Sequence, residues 1–150
     1  MSTLEKSADP ADFNYSHLAH PPVTFVQEKL KVERRLPAAR KFIVENGLNE
    51  VFDGDSGDIG IILQGGLYNG LLRRLQALDL ADAFGSSRIP LLVLNVTHPL
   101  VPEQITGFCE GKDAVLVLEE GNPEFIELQV HAFARQAGID TRILGKGLVP

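Results

Sequence analysis

The stretch of sequence that decides the fold is Asp58-Ile-Gly-Ile-Ile-Leu-Gln-Gly-Gly-Leu-Tyr-Asn69. Its apolar first half is typical of a buried β-strand, and the paired glycines Gly65 and Gly66 end that strand. Leucines then recur at helical spacing, at Leu67, Leu71, Leu72, Leu75 and Leu78. A strand, a glycine turn and a helix in direct succession form the βα unit of an open α/β sheet.

Further apolar runs predict strands at 90–96, 114–118 and 141–144, and residues 48–52 predict a short edge strand. Helical patterns lie between them, one from Pro102 to Gly111 and one to Ala137 that begins at Asn122-Pro123, with Asn122 as N-cap. Alternating strands and helices imply parallel pairing with right-handed crossovers. We expect a three-layer α/β/α sandwich with a mainly parallel open sheet. Strand 59–63 is predicted at its centre, 90–96 on one side, and 114–118 and 141–144 on the other.

Composition limits the possible classes of function. The chain has 150 residues, of which 44% are hydrophobic, and we expect a tail or linker at 1–22 and one domain at 23–150. The net charge of −6 argues against nucleic acid as a partner. No apolar run approaches the roughly 20 residues of a membrane span. The single cysteine, Cys109, excludes a disulfide framework or a cysteine-held iron–sulfur cluster within this chain, and a reducing cytoplasm is the simplest setting.

The predicted topology indicates where a ligand could bind. Open α/β sheets bind ligands beyond the carboxyl ends of the strands, at the point where the strand order reverses. That crevice is predicted between 64–66 and 119–121, with 97–99 as a neighbouring wall. The candidate ligand-binding residues are Gln64, Gly65, Gly66, Tyr68, Asn69, Thr97, His98, Glu119 and Glu120. No catalytic residue and no metal ligand is assigned, because His98 has no second histidine or cysteine at ligand spacing.

Each candidate has a structural alternative. The glycines either let an anion approach the free N–H groups of the next helix or simply make a tight turn. Tyr68 and Asn69 either line the crevice or pack. His98 is either an acid–base group or a hydrogen-bonded loop residue. Glu119 and Glu120 point opposite ways on an extended backbone, so a subunit contact or a role at a helix N-terminus competes with a catalytic pair.

Seven short sequence motifs, taken in their order along the chain, resemble those of one known enzyme family. The motifs are Arg35-Leu-Pro-Ala-Ala-Arg40, Asn46-Gly-Leu-Asn49, Ile59-Gly-Ile-Ile-Leu-Gln-Gly-Gly-Leu-Tyr-Asn69, Ala81-Asp-Ala-Phe-Gly85, Val93-Leu-Asn-Val-Thr-His-Pro-Leu100, Ala114-Val-Leu-Val-Leu-Glu-Glu-Gly121 and Pro123-Glu-Phe-Ile-Glu127. The series is similar to the thiamine-diphosphate-dependent 2-oxoacid:ferredoxin oxidoreductases, and in particular to the α subunits that act on indolepyruvate. The chain resembles one internal domain of such an enzyme, cut from a longer chain.

The resemblance carries expectations of its own. It implies the fold of the transketolase C-terminal domain, with four parallel strands and an antiparallel edge strand that residues 50–52 could supply. It implies a whole enzyme that converts an aryl 2-oxoacid and coenzyme A to acyl-coenzyme A and CO2 and reduces ferredoxin. Thiamine diphosphate, magnesium and the iron–sulfur clusters would belong to other domains, with no cofactor in this one.

Two functions therefore remain open from the sequence. The first is a catalytically silent domain that contacts other domains of the same chain and a partner subunit, and that forms one wall of a path for substrate or coenzyme A. The second is a free-standing regulatory domain that binds a small molecule or an anion in the crevice.

Overall fold

The computed structural model describes residues 20–148. The predicted tail at 1–22 lies outside the described residues except for its last three positions. The described residues from 20 to 38 belong to one compact unit, and those from 39 to 148 belong to a second.

The first unit is helical. Helix α1 (Val23–Leu30) continues into a π-helical turn (Lys31–Arg35), and α2 (Leu36–Glu45) follows and extends into the second unit. The N–H of Leu36 donates to the carbonyl of Lys31, five residues back, instead of four. The next residue, Pro37, has no N–H to donate, so a change in hydrogen-bond register just before it is physically reasonable.

The second unit alternates strands and helices. Its elements are β1 (Glu50–Phe52), β2 (Ile59–Gln64), a 3-10 turn (Gly65–Leu67), α3 (Tyr68–Ala77), β3 (Leu91–Leu94), α4 (Pro102–Cys109), β4 (Ala114–Leu118), α5 (Phe125–Gln136), β5 (Arg142–Leu144) and a 3-10 turn (Lys146–Leu148). Among residues 20–148, no helix combines the length and the apolar character that crossing a membrane requires.

The five strands form one mixed sheet in the order β1-β3-β2-β4-β5. The pairs β2–β3, β2–β4 and β4–β5 are parallel, and β1 pairs with β3 in the antiparallel direction. The predicted α/β class and strand order are confirmed, with β2 at the centre and residues 50–52 at an edge. Strand β3 is shorter than the predicted 90–96, because Pro90 cannot donate to the ladder and Asn95 turns away to bond elsewhere.

Helices cover both faces of this sheet. On one face, α4 and α5 pack over Leu92 and Leu94. On the other face, α3 packs through Leu75 over Leu91 and Val93. All four residues of β3 are buried, as expected for an interior strand covered on both sides. The three-layer arrangement is therefore present.

The start of α5 differs from the prediction. Asn122 is not the N-cap, because the helix begins at Phe125 and Glu124 occupies the cap position without a side-chain cap bond. The carboxylate of Glu119 instead accepts hydrogen bonds from the N–H groups of Ile126 and Glu127. An acceptor from the end of β4 thus satisfies the donors that the sequence pattern assigned to Asn122.

Candidate functional site

The predicted crevice exists at the carboxyl edge of the sheet. It is a cavity of about 530 Å³, within the size range of small-molecule sites. It lies where β2 ends at Gln64 and β4 ends at Leu118, with the loop after β3 beside it. Five of the nine predicted ligand-binding residues line it: Gln64, Thr97, His98, Glu119 and Glu120.

Hydrogen bonds within the chain shape the floor of this crevice. The side-chain oxygen of Gln64 accepts from the backbone N–H of Glu120 at 2.7 Å, which ties the end of β2 to the loop after β4. Both oxygens of Glu119 lie 3.0 Å from the N atom of Ile126. The structure therefore favours the helix N-terminus role for Glu119, one of its sequence alternatives. Thr97, His98 and Glu120 are exposed at the rim.

The other four predicted residues do not line the crevice. Gly65 faces Asn95, and a Cβ added at Gly65 would overlap the side-chain oxygen of Asn95. The ring of Tyr68 stacks on Phe52 with 5.2 Å between centroids. Gly66 and Asn69 are exposed, and a Cβ at Gly66 would meet no atom within 4 Å in the described part of the chain, its own turn and chain neighbours apart. Packing within the chain thus accounts for Gly65 and Tyr68 without a ligand.

Sequence analysis did not assign five residues that line the crevice: Asn122, Pro123, Ile126 and the pair Phe125 and Gln129. Phe125 is 63% exposed, and the side-chain nitrogen of Gln129, one helical turn later, donates to its carbonyl at 3.2 Å. Their position in the first turns of the helix that follows β4 was a usable signal, since that helix begins at the same edge of the sheet. The pair adds an apolar ring and an amide to the crevice wall.

The charge of the crevice restricts the ligands that it suits. Among the described residues that line it, Glu119 and Glu120 carry negative charge and none is a lysine or an arginine. An anionic ligand would approach two carboxylates, and the ammonium of Lys146, which donates to the carbonyl of Gly121 in the crevice wall, offsets part of that charge. Within residues 20–148, no three histidine, cysteine or acidic side chains come together as a metal site.

Cys109 is buried and lies outside the crevice. Burial raises the pKa of its thiol to about 11, and the ammonium of Lys112 lowers that pKa by a smaller amount. A thiol is nucleophilic as the thiolate, so this side chain is a packing residue near neutral pH.

Comparison with known proteins confirms the resemblance in the sequence. The chain is 34% identical over 103 residues to the indolepyruvate oxidoreductase subunit IorA of Methanothermobacter thermautotrophicus. The matched segment covers 68% of this chain and 15% of that subunit. The chain is 36% identical over 100 residues to the subunit of the same name from Methanothermobacter marburgensis, which is 66% of this chain and again 15% of the relative. The chain thus matches only a small part of the length of these relatives. No protein-family model matches it.

One solved structure with a similar chain is the 2-oxoglutarate:ferredoxin oxidoreductase from Magnetococcus marinus with 2-oxoglutarate, coenzyme A and succinyl-CoA bound. The identity is 18% and the TM-score is 0.45, over 85% of this chain and 21% of that one.

Proposed function

We propose that this chain is one domain of a 2-oxoacid:ferredoxin oxidoreductase and that its role is to make contacts within that enzyme. The substrate of the whole enzyme, on this proposal, is the aryl 2-oxoacid indolepyruvate. The observation that carries the proposal is the identity of 34–36% with two indolepyruvate oxidoreductase subunits over about 15% of their length. A match of that extent corresponds to one domain of a larger protein. The domain supplies contacts to the rest of its own chain and to a partner subunit.

The whole enzyme, on this proposal, converts the oxoacid and coenzyme A to acyl-coenzyme A and CO2 and passes the released electrons to ferredoxin. Thiamine diphosphate with magnesium and iron–sulfur clusters supply that chemistry from other domains. The described residues do not fit these groups: the buried Cys109 is the one cysteine, and the acidic crevice would repel a diphosphate. A free, buried thiol is also consistent with the cytoplasmic location that we propose.

The crevice is the part of this domain that we propose to face the substrate or coenzyme A path. Gln64, Thr97, His98 and Gln129 offer hydrogen-bonding groups there, and Phe125 offers an apolar surface. Because Glu119 and Glu120 disfavour phosphates, any contact with coenzyme A involves its uncharged pantetheine arm. The same charges argue against the alternative of a free-standing anion-binding domain.

A domain exchange tests the proposal. The matched segment of the M. thermautotrophicus IorA subunit is replaced by residues 39–150 of this chain, and reduction of a viologen dye by indolepyruvate and coenzyme A is measured in the reconstituted enzyme. We expect activity in the chimera and none after deletion of the segment without replacement. Activity of the isolated chain, or an inactive but assembled chimera, would contradict the proposal.

A titration of the isolated chain separates the two candidate functions. Inorganic phosphate and coenzyme A are added while backbone amide NMR signals are followed. We expect no saturable shift at Gly66 and Leu67 with phosphate, because Gly66 is exposed and a helix N-terminus in an exposed site favours an anion by only about 0.3–1 kcal/mol, which salt screens further. Saturable phosphate binding at these amides would instead establish the anion-binding alternative and the role of Gly65, Gly66, Tyr68 and Asn69 in it.

A further inference from the structure

The two faces of strand β4 are covered unequally. Val115 and Val117 face α4 and α5 and are 0% and 2% exposed. Leu116 and Leu118 point to the opposite face, where they pack beside α3 and stay half-buried. Parallel strands are normally buried on both faces. The α3 side of β4 is therefore a surface suited to burial against a further element.

That surface is concave. A groove of about 550 Å³ runs between α3 and β4, and the turn Lys146–Leu148 closes one side. Leu67, in the turn before α3, and Leu71 of α3 form its wall. Leu116 and Leu118 form its floor. We call it the open groove.

Gly70 is a second, independent feature of the open groove. It lies within α3, where glycine costs about 1 kcal/mol relative to alanine. Apart from the backbone of its own helix and its chain neighbours, a Cβ at Gly70 would meet no atom of residues 20–148 within 4 Å. The small residue therefore has no packing role among the described residues, and its absent side chain leaves room for a partner to approach the helix backbone closely.

The charged residues at the rim define the chemistry of that partner. Arg74 lies one helical turn beyond Gly70, and Lys146 lies across the groove. Glu119 also borders the groove, but its carboxylate is bonded to the N-terminus of α5. The ammonium of Lys146 donates to the carbonyl of Gly121, which fixes its place and leaves its positive charge uncancelled. In a chain with a net charge of −6, these two cations beside an apolar groove favour an apolar segment flanked by carboxylates.

We propose that the open groove receives an amphipathic α-helix from outside this chain, with its apolar stripe on Leu116 and Leu118 and carboxylates facing Arg74 and Lys146. A helix suits the space because helices cover the faces of parallel sheets and pack 8–10 Å from a neighbouring helix such as α3. The proposal rests on the proposed function in one respect, since the rest of the enzyme supplies that helix.

The test uses a fluorescent model peptide, about 18 residues long, with leucines at positions i, i+3, i+4 and i+7 and glutamates beside them. Its binding to the purified chain is followed by fluorescence anisotropy. We expect saturable binding that is about tenfold weaker for a matched peptide with lysine in place of glutamate. The double variant Arg74→Glu/Lys146→Glu should reverse this preference, and Arg73→Glu, an exposed neighbour on the same helix that does not line the groove, should keep it.

Gly70→Gln separates docking from folding. Glutamine is a better helix former than glycine and its side chain meets open space here, so the melting temperature should hold or rise while peptide binding is lost. Unchanged peptide binding in Gly70→Gln, or equal affinity for the two peptides, would overturn the proposal. Binding of octanoate in the groove without binding of either peptide would also overturn it, in favour of a small-molecule site. The peptide assay involves no oxidoreductase activity, so its failure leaves the proposed function standing.

Discussion

The carboxylate of Glu119 accepts a hydrogen bond from the backbone N–H of Ile126, with 3.0 Å from each oxygen to the nitrogen. The residue that follows β4 thereby caps α5, and its negative charge lies at the positive end of the helix dipole. One acidic residue of the crevice therefore has a structural task that its neighbour Glu120 lacks.

Replacement of Glu119 by glutamine should lower the free energy of unfolding by about 1 kcal/mol, because the amide has a single acceptor oxygen and no charge. Urea unfolding followed by circular dichroism measures the change. Glu120→Gln is the matched control, since Glu120 contributes its backbone N–H and not its carboxylate to the bond with Gln64. Equal losses in the two variants would contradict the capping role.

Gly65→Ala should destabilise the chain by about 1 kcal/mol, and Gly66→Ala should be close to neutral. The new methyl group at Gly65 would displace Asn95, whose side-chain nitrogen donates to the carbonyl of Leu48 and to the carboxylate of Glu50, each at 2.9 Å. In an Asn95→Ala background, Gly65→Ala should cost less, and a double-mutant cycle of unfolding free energies measures this coupling. Additive effects would show that Asn95 is not the obstacle.

Val93→Asp should lower the unfolding free energy by more than about 3 kcal/mol, because an unpaired carboxylate would enter the core between β3 and α3. Val51→Asp on β1 is the control, since Val51 is 60% exposed and Val93 is 3% exposed. We expect the control to stay within about 1 kcal/mol of the wild type in thermal or urea unfolding. Similar losses at both positions would place β3 at an exposed site.

The stability of the chain should fall as the pH rises above about 9. Burial raises the pKa of Cys109 from 9.0 to about 11, so between these values the unfolded chain loses the thiol proton while the folded chain keeps it. The unfolded state then binds fewer protons, and stability decreases with pH. The decrease should be smaller in Cys109→Ala. Iodoacetamide should react slowly with native protein and rapidly in urea, and fast native alkylation would contradict burial.

The strand order of the sheet could be predicted from the sequence because strands alternate with helices along the chain and the crossovers between parallel strands are right-handed. The run 114–118 is predicted and observed at the same bounds, and residues 50–52 take the edge position. The start of α5 was predicted wrongly at Asn122, because the local pattern marks that residue, although a role at a helix N-terminus was among the sequence alternatives for Glu119, which supplies the cap. A cap from a residue seven positions before Ile126 leaves no periodic signal in the sequence.

The residues of the site that lie just beyond the ends of strands could be predicted from the sequence. Gln64, Thr97 and Glu120 meet at one edge because parallel strands direct their carboxyl ends there. Tyr68 was predicted to line the crevice because it follows the end of β2 closely in sequence. Its ring instead stacks on Phe52. The bond between Gln64 and Glu120 joins residues 56 positions apart, a pairing that depends on register and side-chain rotamer.

Both outer strands of the sheet, β1 and β5, are only three residues long. Short edges offer few free backbone donors and acceptors, and Glu50 adds a charge to one of them. Growth of the sheet by addition of a foreign strand, the usual route to aggregation and domain swapping, is thereby discouraged. Associations of this chain should therefore form through side chains on its faces and not through backbone pairing.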